Sequence, residues 1–154
     1  MMKVKDLMTT DVKTCTSDMT VAEAAHLMWE GDCGILPVVD DGELAGVVTD
    51  RDMYIALATQ NARASRLRVG AVATKKLATC APEDDVQAAL ATMKQTRVRR
   101  LPVVGFGDTV LGILSMNDIL LAAGAGKGVA SEDVVSTLQA ICAHHRPVPH
   151  VVAA

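Results

Sequence analysis

Two short elements have the residue types and spacing for recognition chemistry: Thr49-Asp50-Arg51-Asp52 and Ser115-Met116-Asn117-Asp118. In each, a hydroxyl stands three residues before a carboxylate, after an apolar run and ahead of a helical pattern. A carboxylate held at a helix start accepts two hydrogen bonds from the vicinal hydroxyls of a ribose. A hydroxyl beside the free N–H groups and positive end of the helix suits a phosphate. The same spacing also describes a capping box, in which Asp52 and Asp118 only satisfy a backbone donor. Both readings are open at this point.

Arg97, Arg99 and Arg100 stand just before the apolar run Leu101-Pro102-Val103-Val104. A guanidinium fork offers paired donors to phosphate oxygens and stays charged at any cellular pH. Alternation along a strand puts Arg97 and Arg99 on one side and Arg100 on the other, so the three do not serve one phosphate together. Their alternative is a solvated strand edge. Arg51 is a further, weaker basic candidate. Cys142, His144, His145 and His150 are metal-ligand types, but they lie at a helix end and in a Pro-containing tail without ligand spacing. His26 sits among helix residues and reads as partly exposed. No nucleophile–base–orienter set, P-loop or dinucleotide fingerprint occurs, so no catalytic residue is expected.

The elements that must position these residues come in two copies. Displaced by 65 positions, Val4, Thr9, Thr14, Cys15, Val21, Ala24, Met28 and Leu36-Pro37-Val38-Val39 meet identical residues at Val69, Thr74, Thr79, Cys80, Val86, Ala89, Met93 and Leu101-Pro102-Val103-Val104. One residue inserted in the second turn moves the offset to 66, where Gly46 and Asp52 meet Gly112 and Asp118. Each copy reads as an extended segment (12–15; 77–80), then a helix with apolar residues at i, i+3, i+4 and i+7. Val21, Ala24, Ala25 and Met28 form that stripe in the first copy, and Val86, Ala89, Leu90 and Met93 in the second. Thr20 with Glu23 predicts a capping box, and Asp85 an N-cap. Buried strands (35–39; 100–104), Gly- and Asp-rich turns, second strands (44–48; 110–114) and helices from Asp50 and Met116 complete β-α-β-β-α units. One such unit buries too little surface to be secure alone, so the two are expected to pack sheet against sheet over a shared core. A capped amphipathic helix is predicted over 131–144, with Ser131 at the cap and a frayed tail from Pro147.

Composition narrows the function classes. Half of the 154 residues are apolar, yet Trp29, Tyr54 and Phe106 are the only aromatics. A reader of single-stranded nucleic acid needs more aromatic faces than that. The net charge of -3 hides a division: residues 1–58 carry -7 and residues 61–105 carry +6. A basic segment in an acidic protein suggests one anionic small ligand or an acidic neighbour; for Arg63, Arg66 and Arg68 a solvated linker face is the alternative. No apolar run reaches the roughly 18–20 residues of a membrane-spanning helix, and the start lacks a signal-peptide core. The expected location is the cytoplasm, with no membrane and no nucleic-acid partner. Cys15, Cys33, Cys80 and Cys142 form no CxxC pair and read as reduced thiols, Cys15 and Cys80 as small core residues.

At this point the sequence resembles a known family. VKDLMTTDVKTC, TVAEAAHLM and GILPVVDDGELAGVVTDRDM resemble a cystathionine-beta-synthase (CBS) domain, and VGAVATKKLATC, DVQAALATMKQTRVRRLPVV and LGILSMNDI a second. The resemblance implies an α+β fold of two β-α-β-β-α CBS repeats with pseudo-two-fold symmetry. Its parts are CBS domain 1 (3–59), a linker (60–68), CBS domain 2 (69–124), and a C-terminal helix and tail (125–154). It implies an adenosyl ligand between the repeats, AMP, ADP or ATP, with Asp52 and Asp118 on ribose and Arg100 on phosphate; Thr49, Ser115, Arg51 and Arg99 are the further nucleotide-binding candidates. Gly34 and Ile35, at the positions of Arg99 and Arg100, resemble the apolar surface against which an adenine stacks. Pro37, Pro102, Thr14 and Thr79 complete the implied set. The implied role is regulatory: a ligand shifts a homodimer or an unknown partner, the dimer forming through the helices after each Thr/Ser-x-x-Asp element. The helix over 131–144 either joins that interface or folds back on its own module. The rival readings are an S-adenosylmethionine sensor, a ligand-free interaction module and, more remotely, an enzyme.

Overall fold

The computed structural model describes residues 1–126 and 128–143. His144, His145, His150 and the tail from Pro147 lie outside the described residues. Repeat 1 contains α1 (Val21–Glu30), β1 (Ile35–Asp40), β2 (Glu43–Thr49) and α2 (Asp50–Gln60). Repeat 2 contains α3 (Val86–Thr96), β3 (Arg100–Val104), β4 (Val110–Ser115) and α4 (Met116–Gly124), followed by α5 (Ser131–Cys142). The strands pair as two antiparallel hairpins, β1 with β2 and β3 with β4. Asp41 and Gly42 join the first with φ of 52° and 83°, the pair of left-handed residues that a tight two-residue hairpin demands. Thr20 and Glu23 form the expected capping box on α1, and Asp85 accepts from the Gln87 N–H on α3.

The extended segments that open each unit shrink to a single bridge. Cys15 donates its N–H to the Pro37 carbonyl at 3.0 Å and accepts from Val39 N–H at 2.8 Å; Cys80 does the same with Pro102 and Val104 at 3.1 and 2.9 Å. The next ladder bond in this parallel register needs an N–H from the proline, which has none, so pairing stops there. Beyond the bridge, Ser17 N–H turns to the Asp40 carboxylate instead of the backbone. Cys15 and Cys80 are buried, and that desolvation pushes both thiols up to about 11.

The repeats are locked by exchange of their leading segments. Thr9, ahead of repeat 1, pairs with Ile113 on β4 through two bonds of 2.9 Å; Thr74, ahead of repeat 2, pairs with Val47 on β2 at 2.8 and 3.1 Å. Val4 accordingly lies in the core of repeat 2, and Val69 in the core of repeat 1. A fully buried valine contributes about 1.5–3 kcal/mol, and both are fully buried. The expected single shared core is therefore two apolar clusters, each plugged by one valine from the other repeat's leading segment. Glycine at 46 and 112 makes the exchange possible: a Cβ on Gly46 would lie 2.9 Å from the Thr74 carbonyl oxygen, and one on Gly112 2.6 Å from that of Thr9.

Helix α5 folds back on its own module, burying Val134 and packing Leu138 and Ile141 against the repeat 2 cluster. Its N-cap is Ala130 rather than Ser131, with no side-chain cap bond. Glu132 and Asp133 stand in its first turn, where they offset the positive helix end without a cap. The linker is engaged as well as polar, since Arg68 donates to the Asp18 carbonyl at 2.6 Å. Gly112→Ala is expected to lower stability by about 1–3 kcal/mol by forcing the two backbones apart. Gly124→Ala, with open space at its Cβ, should raise stability by about 0.4–1 kcal/mol. Denaturant unfolding of the two variants checks both signs.

Candidate functional site

Hairpin register alone brings part of the candidate site together. Arg100 pairs directly with Ser115 across β3 and β4, as Ile35 pairs with Thr49 across β1 and β2. Because β4 runs straight into α4, Ser115 is both the last strand residue and the N-cap of that helix. Asp118 follows one turn later. Arg100, Ser115 and Asp118 thus converge from one hairpin and the helix it launches.

Both capping boxes are present. Ser115 Oγ accepts from Asp118 N–H at 3.2 Å, while Asp118 Oδ2 accepts from Ser115 N–H at 2.8 Å and from Ser115 Oγ at 2.6 Å. In repeat 1, Thr49 Oγ1 accepts from Asp52 N–H at 3.1 Å, and Asp52 Oδ2 accepts from Thr49 N–H at 3.3 Å. The bonds on Asp118 all fall on Oδ2, so the cap and a ligand role do not compete for the same oxygen. The cap holds the carboxylate in place, and Oδ1 keeps its acceptor capacity.

The exchange of leading segments then adds a second wall. A cleft of about 640 Å³ between the repeats is lined by Arg100, Ile113, Ser115 and Asp118 from repeat 2 and by Gly34 and Ile35 from repeat 1. Its remaining lining is residues 9 and 11–13 of the leading segment and residues 30–33 at the end of α1. The size suits a small organic ligand. Four carboxylates, Asp11, Glu30, Asp32 and Asp118, face two cations, Lys13 and Arg100. Gly34 is pinned beside α2, where its carbonyl accepts from Asp50 N–H at 3.1 Å. A Cβ there would lie 2.9 Å from Asp50 Oδ2.

Of the residues singled out from sequence, Ile35, Arg100, Ser115 and Asp118 meet in this cleft. Thr49 and Asp52 occupy the pseudo-equivalent positions of repeat 1, with Arg51 exposed on the first turn of α2. Arg99 points elsewhere, donating to Cys142 Sγ on α5 at 3.8 Å. Pro37 and Pro102 are buried mid-strand, where their carbonyls hold the cysteine bridges. Thr14 and Thr79 are exposed, and neither lines the Asp118 cleft. His26 is exposed and lies 3.3 Å from Glu30 across one helical turn. Among the described residues no group of His, Cys, Asp and Glu is placed to hold a metal. Sequence reasoning missed Thr9, Asp11, Val12 and Lys13. The one signal that could have found them was the repeated glycine at 46 and 112, which announces a close backbone neighbour on the second strand of each hairpin.

Paired hairpins, strand-to-helix hydroxyl–carboxylate turns and an inter-repeat cleft define a tandem-repeat module with a candidate binding cleft. The CBS domain family profile matches residues 4–59 and 69–125, and the chain belongs to that family. It is 37% identical over 119 residues to the CBS domain-containing protein YhcV of Bacillus subtilis, a match covering 77% of this chain and 84% of that protein. The CBS domain pair of protein MJ0100, solved with 5'-methylthioadenosine and S-adenosyl-L-methionine, superposes with a TM-score of 0.74 at 27% identity, covering 82% of this chain and 98% of that one. CBSX2 in complex with AMP gives 0.69 at 27% identity, over 81% and 98% of the two chains. No helix among the described residues is long and apolar enough to cross a membrane.

Removing the capping oxygen tests the local geometry without any ligand. Ser115→Ala is expected to cost about 1 kcal/mol, lowering the melting temperature by about 2–4 °C for a chain of this size. Calorimetry of the unliganded protein measures it.

Proposed function

We propose that the protein is a non-catalytic regulatory module that binds an adenine nucleotide, AMP above all, in the cleft between its repeats and passes occupancy to a partner or to its own dimer. The observation that carries this reading is the meeting of Arg100, Ser115 and Asp118 opposite Gly34 and Ile35. In it, Asp118 Oδ1 accepts from ribose hydroxyls. Arg100, across the hairpin from Ser115, donates to a phosphate at the positive end of α4, and Ser115 joins it by turning its one hydroxyl proton from Asp118 Oδ2 to the ligand. The adenine lies toward Gly34 and Ile35. Similarity to CBS pairs solved with AMP and with S-adenosylmethionine supports an adenosyl ligand. Thr49 and Asp52 form the counterpart site.

The charge of the cleft favours a ligand with few negative charges. Four carboxylates against two cations repel a triphosphate tail, so AMP is expected to bind more tightly than ADP or ATP. The same imbalance supports a second reading, S-adenosylmethionine, whose sulfonium and ammonium groups would face Asp11, Glu30 and Asp32.

Apolar side chains left on two helices support a homodimer. Tyr54 and Ile55 on α2, and their equivalents Leu120 and Leu121 on α4, are 74%, 43%, 51% and 74% exposed. One two-fold contact covers both pairs at once. Cytoplasmic placement belongs to the same proposal.

Melting curves with and without ligand decide the matter. At a hundredfold excess over its dissociation constant, AMP should add about 2.7 kcal/mol, or roughly 5–10 °C. Asp118→Ala should abolish most of the shift, with Asp52→Ala the comparable change in the counterpart site. Arg100→Ala should weaken AMP far more than adenosine. A wild-type protein unmoved by AMP, ATP, adenosine and S-adenosylmethionine would leave only the ligand-free interaction module. Light scattering should return a dimer mass, and Leu121→Glu a monomer; a monomeric wild type at micromolar concentration would refute the dimer.

A further inference from the structure

Helix α5 covers one repeat and leaves the corresponding surface of the other bare. A shallow cavity of about 420 Å³ on repeat 1 is lined by Ala25, Met28, Trp29, Cys33, Asp50 and Met53, together with Asp32 and Gly34. The repeat offsets carry the first six onto Leu90, Met93, Lys94, Val98, Met116 and Ile119. On repeat 2 these are the residues among which α5 sits. Five of them share one apolar cluster with Val134, Leu138 and Ile141, and Lys94 Nζ donates to Ser136 Oγ at 2.6 Å. Arg99, the counterpart of Gly34, donates to Cys142. The bare cavity is therefore the pseudo-two-fold image of a helix seat that the protein already uses once.

The image differs in two respects. Trp29, the only tryptophan, stands 85% exposed beside it, although large aromatics anchor helix–groove interfaces more than any other residue type. Its charge is also inverted: Lys94 and Arg99 bond α5 on the occupied seat, whereas Trp29 and Gly34 hold those positions on repeat 1, Asp32 stands where repeat 2 has Arg97, and Asp50 replaces Met116. Helix α5 carries Glu132 and Asp133 and no Lys or Arg between Ser131 and Cys142, so the only charges it brings to a seat are negative. A second copy's α5 would bring acid to acid on repeat 1.

We propose that the α1–α2 face of repeat 1 docks a basic amphipathic helix of a partner protein, anchored on Trp29 and held by Asp32 and Asp50, as α5 is held on repeat 2. This names the chemistry of the regulated partner. Residues 32–34 line both this seat and the inter-repeat cleft, so a ligand in the cleft works on the same three residues that the partner touches. That coupling rests on the ligand reading above; the docking does not.

The test uses the full chain and three labelled synthetic helices. One has the apolar spacing of α5 with lysine and arginine at the other positions, one replaces those with glutamate, and one is the 131–142 sequence itself. The basic helix should bind saturably, shift the Trp29 emission to shorter wavelength, and lose about tenfold in affinity, read by anisotropy, in Trp29→Ala and in Asp50→Lys. Both side chains are exposed, and unchanged melting curves would show that the variants fold. Absence of saturable binding, equal binding of the acidic helices, or indifference to both variants would each overturn the proposal. So would dissociation of a dimer by Trp29→Ala, because the face would then belong to a second copy. With AMP bound, as its melting shift registers, the affinity for the basic helix should change; an unchanged value removes the coupling. A missing melting shift instead sinks the ligand reading and leaves the docking to the peptide data.

Discussion

The structure depends on two short backbone exchanges, Thr9 with Ile113 and Thr74 with Val47. Each hairpin has only two full strands, too small a surface to stand alone. The exchange supplies each with an extra bridge on its outer edge and a valine from the opposite leading segment at its centre. Because the bridge forms on β2 and β4, immediately before the hydroxyl–carboxylate turns, the constraint that joins the repeats also builds a wall of the inter-repeat cleft.

The hydroxyl–carboxylate element shows how a helix cap leaves one carboxylate oxygen open. Read as alternatives from spacing alone, capping and ribose recognition need not compete, because the cap uses one oxygen of the carboxylate and leaves the other able to accept. Asp118 Oδ2 takes both bonds from Ser115, which fixes the side chain without an added shell of partners. A preorganised acceptor loses little further freedom on binding. Burial treats the two prolines in a comparable way: each stops a parallel ladder at one bridge while its carbonyl serves as the acceptor in that bridge.

Departure from symmetry carries the differences in chemistry. The two halves share a backbone plan, yet Asp11, Glu30 and Asp32 correspond to Lys76, Gln95 and Arg97. Acidic surroundings at one cleft and basic ones at its counterpart give the halves different electrostatic preferences. Helix α5 follows the same division, seating its apolar stripe on the basic repeat while Lys94 and Arg99 bond its Ser136 and Cys142.

Much of this was legible in the chain alone. The 65-residue repeat, the helix stripes, the strands and both capping boxes were readable because each rests on contacts within about 20 residues and on periodicities that burial enforces. Asp118, Ser115 and Arg100 were readable as candidates because hairpin register and helix start are local. Tertiary structure alone decided which leading segment serves which repeat. Arg99 went to α5 and Arg100 to the cleft, Ser131 proved to lie inside its helix, and Asp11, Lys13 and Asp32 became part of the site. Those outcomes turn on where distant backbones approach closely, as Thr9 does over Gly112. A pattern of residue types records that a glycine is needed there, but not which segment will fill the space it leaves.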